Sequence, residues 1–257
     1  MKETTIVEKE KVEPNSAILI EGLPGLGMIG KIATEYLVKQ LKAGRIAELY
    51  SPHFAYYVLV NKQGTVRLLR SVLHYWKNEK GENDLIMLTG DSQAQTIEGQ
   101  YDVADTILDF AGKKNVKLIV TIGGFRKEVK DEPQVMVSAT SQGLLHKALE
   151  AGAKGSPSGN PIVGTAGLLT GLAKLKKMDA ICLLVETPGY LSDPRAAKSV
   201  LNVLKKMLRF DVDLSGLDEE ILKSERIEER MKRIEEERRT SAEKRRKIEE
   251  EKVSYIS

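Results

Sequence analysis

Between Ser16 and about Met207, short apolar runs alternate with longer stretches of helical period, the pattern of a sheet with helices on its faces. Ser16 to Glu21, Phe54 to Val60, Val66 to Leu73, Asp84 to Leu88, Lys117 to Ile122 and Ala180 to Val185 are rich in Ile, Val, Leu and Tyr, and most end at Gly, Pro or Asn; they read as strands. From Met28 to Lys42, Ile29, Ile32, Ala33, Tyr36, Leu37 and Leu41 gather near one helical face, and Ile97 to Phe110 repeats the pattern. Both segments are expected to lie on the sheet. Ala166 to Leu175 reads as a helix of small residues, and Pro194 to Met207 as a helix capped by Asp193 with proline in its first turn. Ala151 to Gly164, rich in Gly, Ser and Pro, reads as an exposed loop.

The pattern changes after Gly216. Leu217 to Val253 is dominated by Glu, Lys and Arg, without Gly or Pro, and predicts a solvated helix. Its apolar residues, Leu217, Ile221, Ile227, Met231, Ile234 and Ile248, form a seam too thin for an autonomous coiled coil. Fully helical, the segment would span on the order of 50 Å, more than packing on its own domain requires, so it is expected to project. Two units follow: an α/β body over 1–214 and a charged helical extension over 215–257.

Composition narrows the function. The 257 residues are 41% hydrophobic, enough for a closed core. Lys and Arg number 40 against 37 Asp and Glu, a net charge of +3, and the two signs are interspersed, which argues against a nucleic-acid partner. The single cysteine, Cys182, lies in an apolar run, so neither a disulfide framework nor a zinc site is expected. The charged stretch from Met1 to Val12 does not read as a signal peptide, and no apolar stretch is long enough to span a membrane; the expected location is cytoplasmic.

Three patterns carry candidate chemistry. Gly22-Leu23-Pro24-Gly25-Leu26-Gly27-Met28-Ile29-Gly30-Lys31 follows a strand and opens a helix. Gly25, Gly27 and Gly30 fit a dinucleotide fingerprint, with Glu48 about twenty residues on as ribose partner, although no clear second strand ends there. Read as a P-loop, Gly25 to Lys31 supplies the lysine but has Ile32 where a magnesium-ligating Ser or Thr belongs. The turn formed by Gly22, Pro24, Gly25, Gly27 and Gly30 therefore serves either as a ligand loop or as a place of close packing, including packing on a second subunit. Gly90-Asp91-Ser92-Gln93-Ala94 resembles a nucleophile elbow, but only Asp131 and His146 offer the remaining triad order, and His146 stands in a helical stretch beside Leu144 and Leu145. Asp91 or Ser92 as a helix N-cap accounts for the same residues. His53, His74 and His146 are scattered without metal-ligand spacing, so no metal or other cofactor is expected.

Four motifs in order, Ile18-Leu19-Ile20-Glu21-Gly22-Leu23-Pro24-Gly25-Leu26-Gly27, Ile122-Gly123-Gly124-Phe125, Gly164-Thr165-Ala166-Gly167-Leu168-Leu169-Thr170-Gly171, and Glu186-Thr187-Pro188-Gly189-Tyr190 before Asp193-Pro194-Arg195-Ala196-Ala197, resemble the archaeal proteasome-assembly-chaperone family. The resemblance implies a three-layer α/β/α sandwich with a mostly parallel sheet, a homo-oligomer (ring or tetramer), and binding of protein clients without catalysis. The partners implied are proteasome α-subunits or another assembly factor. Some relatives carry a protruding C-terminal helix ending in a hydrophobic-Tyr-any tripeptide that enters pockets between α-subunits. Here the final residues are Val253-Ser254-Tyr255-Ile256-Ser257, with the tyrosine third from the end rather than penultimate, as in members lacking the tripeptide. Partner contact is assigned to Ile227, Met231, Ile234, Ile248, Val253, Tyr255 and Ile256. The alternative from the residues alone is a nucleotide-binding enzyme using Gly25 to Lys31.

Overall fold

The structure, a computed structural model, describes residues 1–231 except Glu82 and Lys130, together with Arg233, Ile234 and Arg238. The elements run β1 (Thr5–Glu8), β2 (Ala17–Glu21), a 3-10 turn (Leu26–Met28), α1 (Ile29–Gln40), β3 (Gly44–Tyr50), β4 (Val58–Val60), β5 (Val66–Leu68), β6 (Ser71–Trp76) and β7 (Asp84–Gly90). They continue with α2 (Ile97–Lys113), β8 (Val116–Arg126), β9 (Val135–Ala139), α3 (Gln142–Glu150), β10 (Lys154–Gly155), α4 (Thr165–Leu175), β11 (Ala180–Thr187) and α5 (Pro194–Leu208). A last helix, α6, covers 216–231.

Among the described residues one nine-stranded sheet forms in the order β1-β3-β6-β7-β2-β8-β11-β9-β10. Its four central strands, β7, β2, β8 and β11, are parallel. β6, β3 and β1 join β7 antiparallel on one flank, and β9 joins β11 antiparallel on the other. Central strands are covered on both faces, which is why Ala17–Glu21 is buried at every position and reads as a continuous apolar run. Alternate residues sort between two cores. Ile18, Ile20, Val120, Ile122, Ile181 and Leu183 meet α1, α3 and α5, whereas Ala17, Leu19, Ile119 and Ala180 meet α2 and α4. The result is the three-layer α/β/α sandwich.

Several local readings change. Phe54 to Val60 is a strand only from Val58; Phe54 is buried in a turn. Val66 to Leu73 is two strands, because the chain leaves the β4–β5 ribbon at Leu69 and enters the main sheet at Ser71. The cap of α2 is neither Asp91 nor Ser92 but Thr96, whose side chain accepts from Gly99 N. Asp91 is instead held by Arg67 and by the Arg70 amide, and the Ser92 hydroxyl donates to Gln93 O. Asp193 does cap α5, accepting from Ala196 N at 2.9 Å, with Pro194 in the first turn.

The start of α6 is fastened to the body. Leu217 is buried in the same core as Tyr36 and Leu204, the Tyr36 hydroxyl donates to Asp213 O at 2.8 Å, and Ser224 donates to Ser192 O at 3.0 Å. Lys198 pairs with Asp218. No helix among the described residues is long and apolar enough to cross a membrane.

Candidate functional site

The glycine turn sits where β2 leaves the sheet, and two of its glycines, Gly22 and Gly30, face the chain's own backbone. A Cβ on Gly22 would lie 2.0 Å from Gly30 O, and one on Gly30 would lie 2.5 Å from Ile122 O. Missing side chains here let α1 come down directly onto the ends of β2 and β8. Gly27 has φ 63°, a left-handed conformation that glycine adopts without steric cost, and Met28 follows at φ 54° to redirect the chain into α1. Gly22, Gly27 and Gly30 are buried, Pro24 is half-buried, and only Gly25 is exposed.

Two loops close over this turn. From the β7–α2 side, the Gln93 amide donates to Pro24 O at 2.8 Å, while its carbonyl oxygen accepts from the backbone and hydroxyl of Thr165. From the β11–α5 side, Asp193 N donates to Gly27 O at 2.8 Å, and Thr187 donates to the Asp193 carboxylate at 2.7 Å. Leu26 lies against Gly189, itself at φ 77°. An aspartate and a leucine thus border the turn, and neither suits a pyrophosphate cradle.

The remaining parts of a nucleotide site are dispersed. Glu48 lies within β3, which the sequence did not reveal; β6 and β7 stand between it and β2. It is buried and ion-paired with Arg45 and Arg70, with Lys9 3.5 Å away, so it is spent inside the sheet edge and does not face the glycine turn. Lys31 turns sideways, donating to Gly90 O at 2.9 Å and approaching Glu35 at 3.5 Å. His146 lies in α3 and Ser92 beyond the end of β7, and no hydrogen bond joins them. No group of three or more His, Cys, Asp or Glu with metal-binding proximity occurs among the described residues.

One ionisable residue beside the turn escaped sequence reasoning. Glu21, 1% exposed, closes the apolar run of β2; one carboxyl oxygen accepts from Leu23 N at 3.1 Å and the other has no partner among the described residues. Burial pushes its pKa up to about 8, so the group is neutral at pH 7. The strand register puts it on the α4 side with Thr121 and Cys182, whose thiol burial pushes up to about 12. The only sequence signal was an acid ending a fully apolar strand. Glu186, next to the end of β11, is also a buried acid but is satisfied by Lys127 and Gln134 N.

Two groups of exposed apolar residues lie away from the turn. Along α6, Leu217, Ile221, Ser224 and Glu228 face the body, and the last three border a small groove against the β11–α5 loop. Ile227, Met231 and Ile234 form a neighbouring stripe and are 53%, 47% and 42% exposed. Ile248, Val253, Tyr255 and Ile256 lie outside the described residues. A second apolar surface, missed in the sequence, is the β4–β5 ribbon. Its register opposes Val58 to Leu68 and Val60 to Val66, which puts four exposed aliphatic side chains on one face, with Tyr56 and Tyr57 exposed beside it. The other face carries Leu59, packed inward, and Arg67, paired to Asp91.

The fold recurs in known proteins. The PAC2 family profile matches residues 19–235. The crystal structure of Pyrococcus furiosus PbaB, an archaeal proteasome activator, superposes with a TM-score of 0.86 at 39% identity, covering 90% of this chain and 100% of that one. Pyrococcus furiosus PbaA, an archaeal homologue of proteasome-assembly chaperone, gives 0.73 at 29% identity, covering 97% and 98%. An uncharacterized protein of Methanocaldococcus jannaschii is 34% identical over 88% of this chain and 87% of its own length. The motif series, the sandwich and the profile agree: the chain belongs to the PAC2 family, alongside the archaeal homologues of proteasome-assembly chaperones.

Proposed function

We propose that this protein is a non-catalytic, homo-oligomeric binding factor of the proteasome-assembly-chaperone type, which presents its C-terminal helices to a protein partner: proteasome α-subunits or another assembly factor. The observation that carries the reading is the pair of faces on α6. One face anchors the helix through Leu217 and Ser224; beside it Ile227 and Met231, and beyond them Ile234, keep about half of their apolar surface exposed, open to a partner. The likeness to PbaB, an activator of the archaeal proteasome, supplies the class of partner. The aliphatic face of the β4–β5 ribbon supports self-association, since a second copy covering it removes four apolar side chains from solvent. Several helices held on one oligomer then bind with avidity that no single helix attains.

The burial of Leu217 fixes where the test must cut. Truncation after Arg226 keeps Leu217, Ile221 and Ser224 in place and removes the exposed stripe together with everything beyond it. Binding to purified archaeal 20S proteasome, followed by surface plasmon resonance, is expected for the full chain and lost in the truncated form, with the mass by light scattering remaining that of the same oligomer. Binding retained after truncation refutes presentation by the helix, and a monomeric mass refutes the oligomer. A Tm raised by ATP or NAD would instead favour the nucleotide-enzyme reading of Gly25 to Lys31.

A further inference from the structure

The α1 face of the sheet is incompletely covered. α1 lies over β2, β7 and β8, and the core on that side takes no residue from β3 and only Trp76 from β6. Beyond the edge of α1 the sheet turns polar, and a cleft of about 370 Å³ opens between α1 and β6–β7. Lys31 and Lys39 border it from α1, Arg45 from β3, Arg67 from β5 and Arg70 from just before β6. These five cations meet three carboxylates: Glu35 and Asp91 on the lining, and Glu48 bound to Arg45 and Arg70. The cleft therefore keeps a surplus of positive charge in a chain whose net charge is only +3.

The floor carries a second, independent sign. Thr89 is 6% exposed and borders the cleft, yet among the described residues its hydroxyl has no hydrogen-bond partner; neither has Nδ1 of His74, which also borders it. Buried polar atoms are almost always paired, so two unpaired ones beneath a ring of cations mark a place built for a polar guest. Burial, and then the charge of Arg45, hold His74 below its ordinary pKa, leaving it neutral and able to donate or accept.

We propose that this cleft binds the phosphate group of a small phosphorylated molecule. A phosphate dianion matches a surplus of two positive charges, and its several oxygens suit a mixed set of guanidinium, ammonium and hydroxyl donors. The cleft is larger than phosphate alone, leaving room for an organic remainder against Val38 and Val72. Lys31, which in the sequence looked like the lysine of a phosphate loop, borders this cleft on the flank of α1 and not the mouth of the glycine turn. The site stands independently of partner binding through α6.

Inorganic phosphate is the probe. Titrated calorimetrically into the full-length protein at constant ionic strength, it should bind and raise Tm, where chloride does not. Lys39→Glu, at an exposed position, and Arg67→Gln should each weaken phosphate binding by about tenfold or more, the loss of one charge-assisted hydrogen bond. Thr89→Val, nearly isosteric, should weaken it while leaving the unliganded Tm close to that of the parent. Phosphate acting no differently from chloride, binding unchanged in Lys39→Glu and Thr89→Val, or binding of citrate without phosphate would overturn the assignment.

Discussion

Replacing Glu21 by Gln tests the electrostatics beneath the glycine turn. Its carboxyl is buried, accepts one hydrogen bond from Leu23 N and leaves the second oxygen unpaired, so its pKa rises from the ordinary 4.5 to about 8. The folded state then holds a proton that the unfolded chain has released throughout that interval. This contribution to stability is complete below about pH 4.5 and is lost as pH rises towards 8. At 1.36 kcal/mol per pH unit, the whole interval amounts to on the order of 5 kcal/mol. Glutamine keeps an acceptor for Leu23 N and cannot ionise, so its own contribution is flat. Urea denaturation of both proteins at pH 5, 6, 7 and 8 and one fixed protein concentration should show the parent losing stability relative to Glu21→Gln by roughly 1 kcal/mol per pH unit, levelling above pH 8. The unpaired amide of the glutamine moves the crossing point of the two curves but not their relative slope. Parallel curves would refute the reasoning, because they would mean that Glu21 ionises in the native protein as it does in the unfolded chain.

Gly30→Ala and Gly22→Ala should each cost about 3 kcal/mol or more in urea denaturation, since the new Cβ meets backbone oxygen at 2.5 and 2.0 Å. Gly25→Ala, whose Cβ would meet only the Gln93 amide at 3.6 Å on an extended backbone, should stay within about 0.5 kcal/mol of the parent; the reverse ranking would contradict the packing role assigned to the turn. Cys182, buried with its thiol pushed up to about 12, should resist a disulfide-exchange reagent at pH 8 in native buffer and react fully in denaturant; rapid native labelling would contradict its burial.

The parts of the fold legible in the sequence are those whose residues answer to one environment. β2, β7, β8 and β11 are covered on both faces and appear as apolar runs, and α1, α2, α4 and α5 show the period of a helix buried along one side. The flanks do not announce themselves. β3 contains Arg45 and Glu48, which look like loop residues until β6 brings Arg70 against them, and β1 is largely exposed. β4 and β5 do read as strands, but which side faces outward does not, because their outward face is apolar and their inward face includes Arg67, the opposite of the pattern a lone soluble strand follows. The exposed stripe on α6 could be read directly, since the apolar residues of one helix carry their own spacing. The cationic cleft could not: Lys31, Arg45, Arg70 and Thr89 come from four segments that only the sheet order unites.

The glycine turn shows why a local pattern of this kind leaves two functions open. Absent side chains permit close approach, and the sequence does not say what approaches. In a dinucleotide site the guest is a pyrophosphate, the following strand is parallel and adjacent, and an acid at its end reaches the ribose. Here β3 pairs antiparallel with β6, two strands separate it from β2, and its acid, Glu48, is held by arginines inside the sheet edge. The space beside Gly22, Gly30 and Gly124 is occupied by Gly30 O, Ile122 O and Leu26 O respectively. What approaches is the protein itself, and the glycines act by setting how deeply α1 sits. That depth decides where Tyr36 stands to receive Asp213 and Leu217, and therefore where α6 leaves the body. Under the role proposed for α6, the turn acts on partner binding through the position of the last helix, and a substitution at Gly30 that the fold survives should disturb the exit of α6 before it disturbs any chemistry.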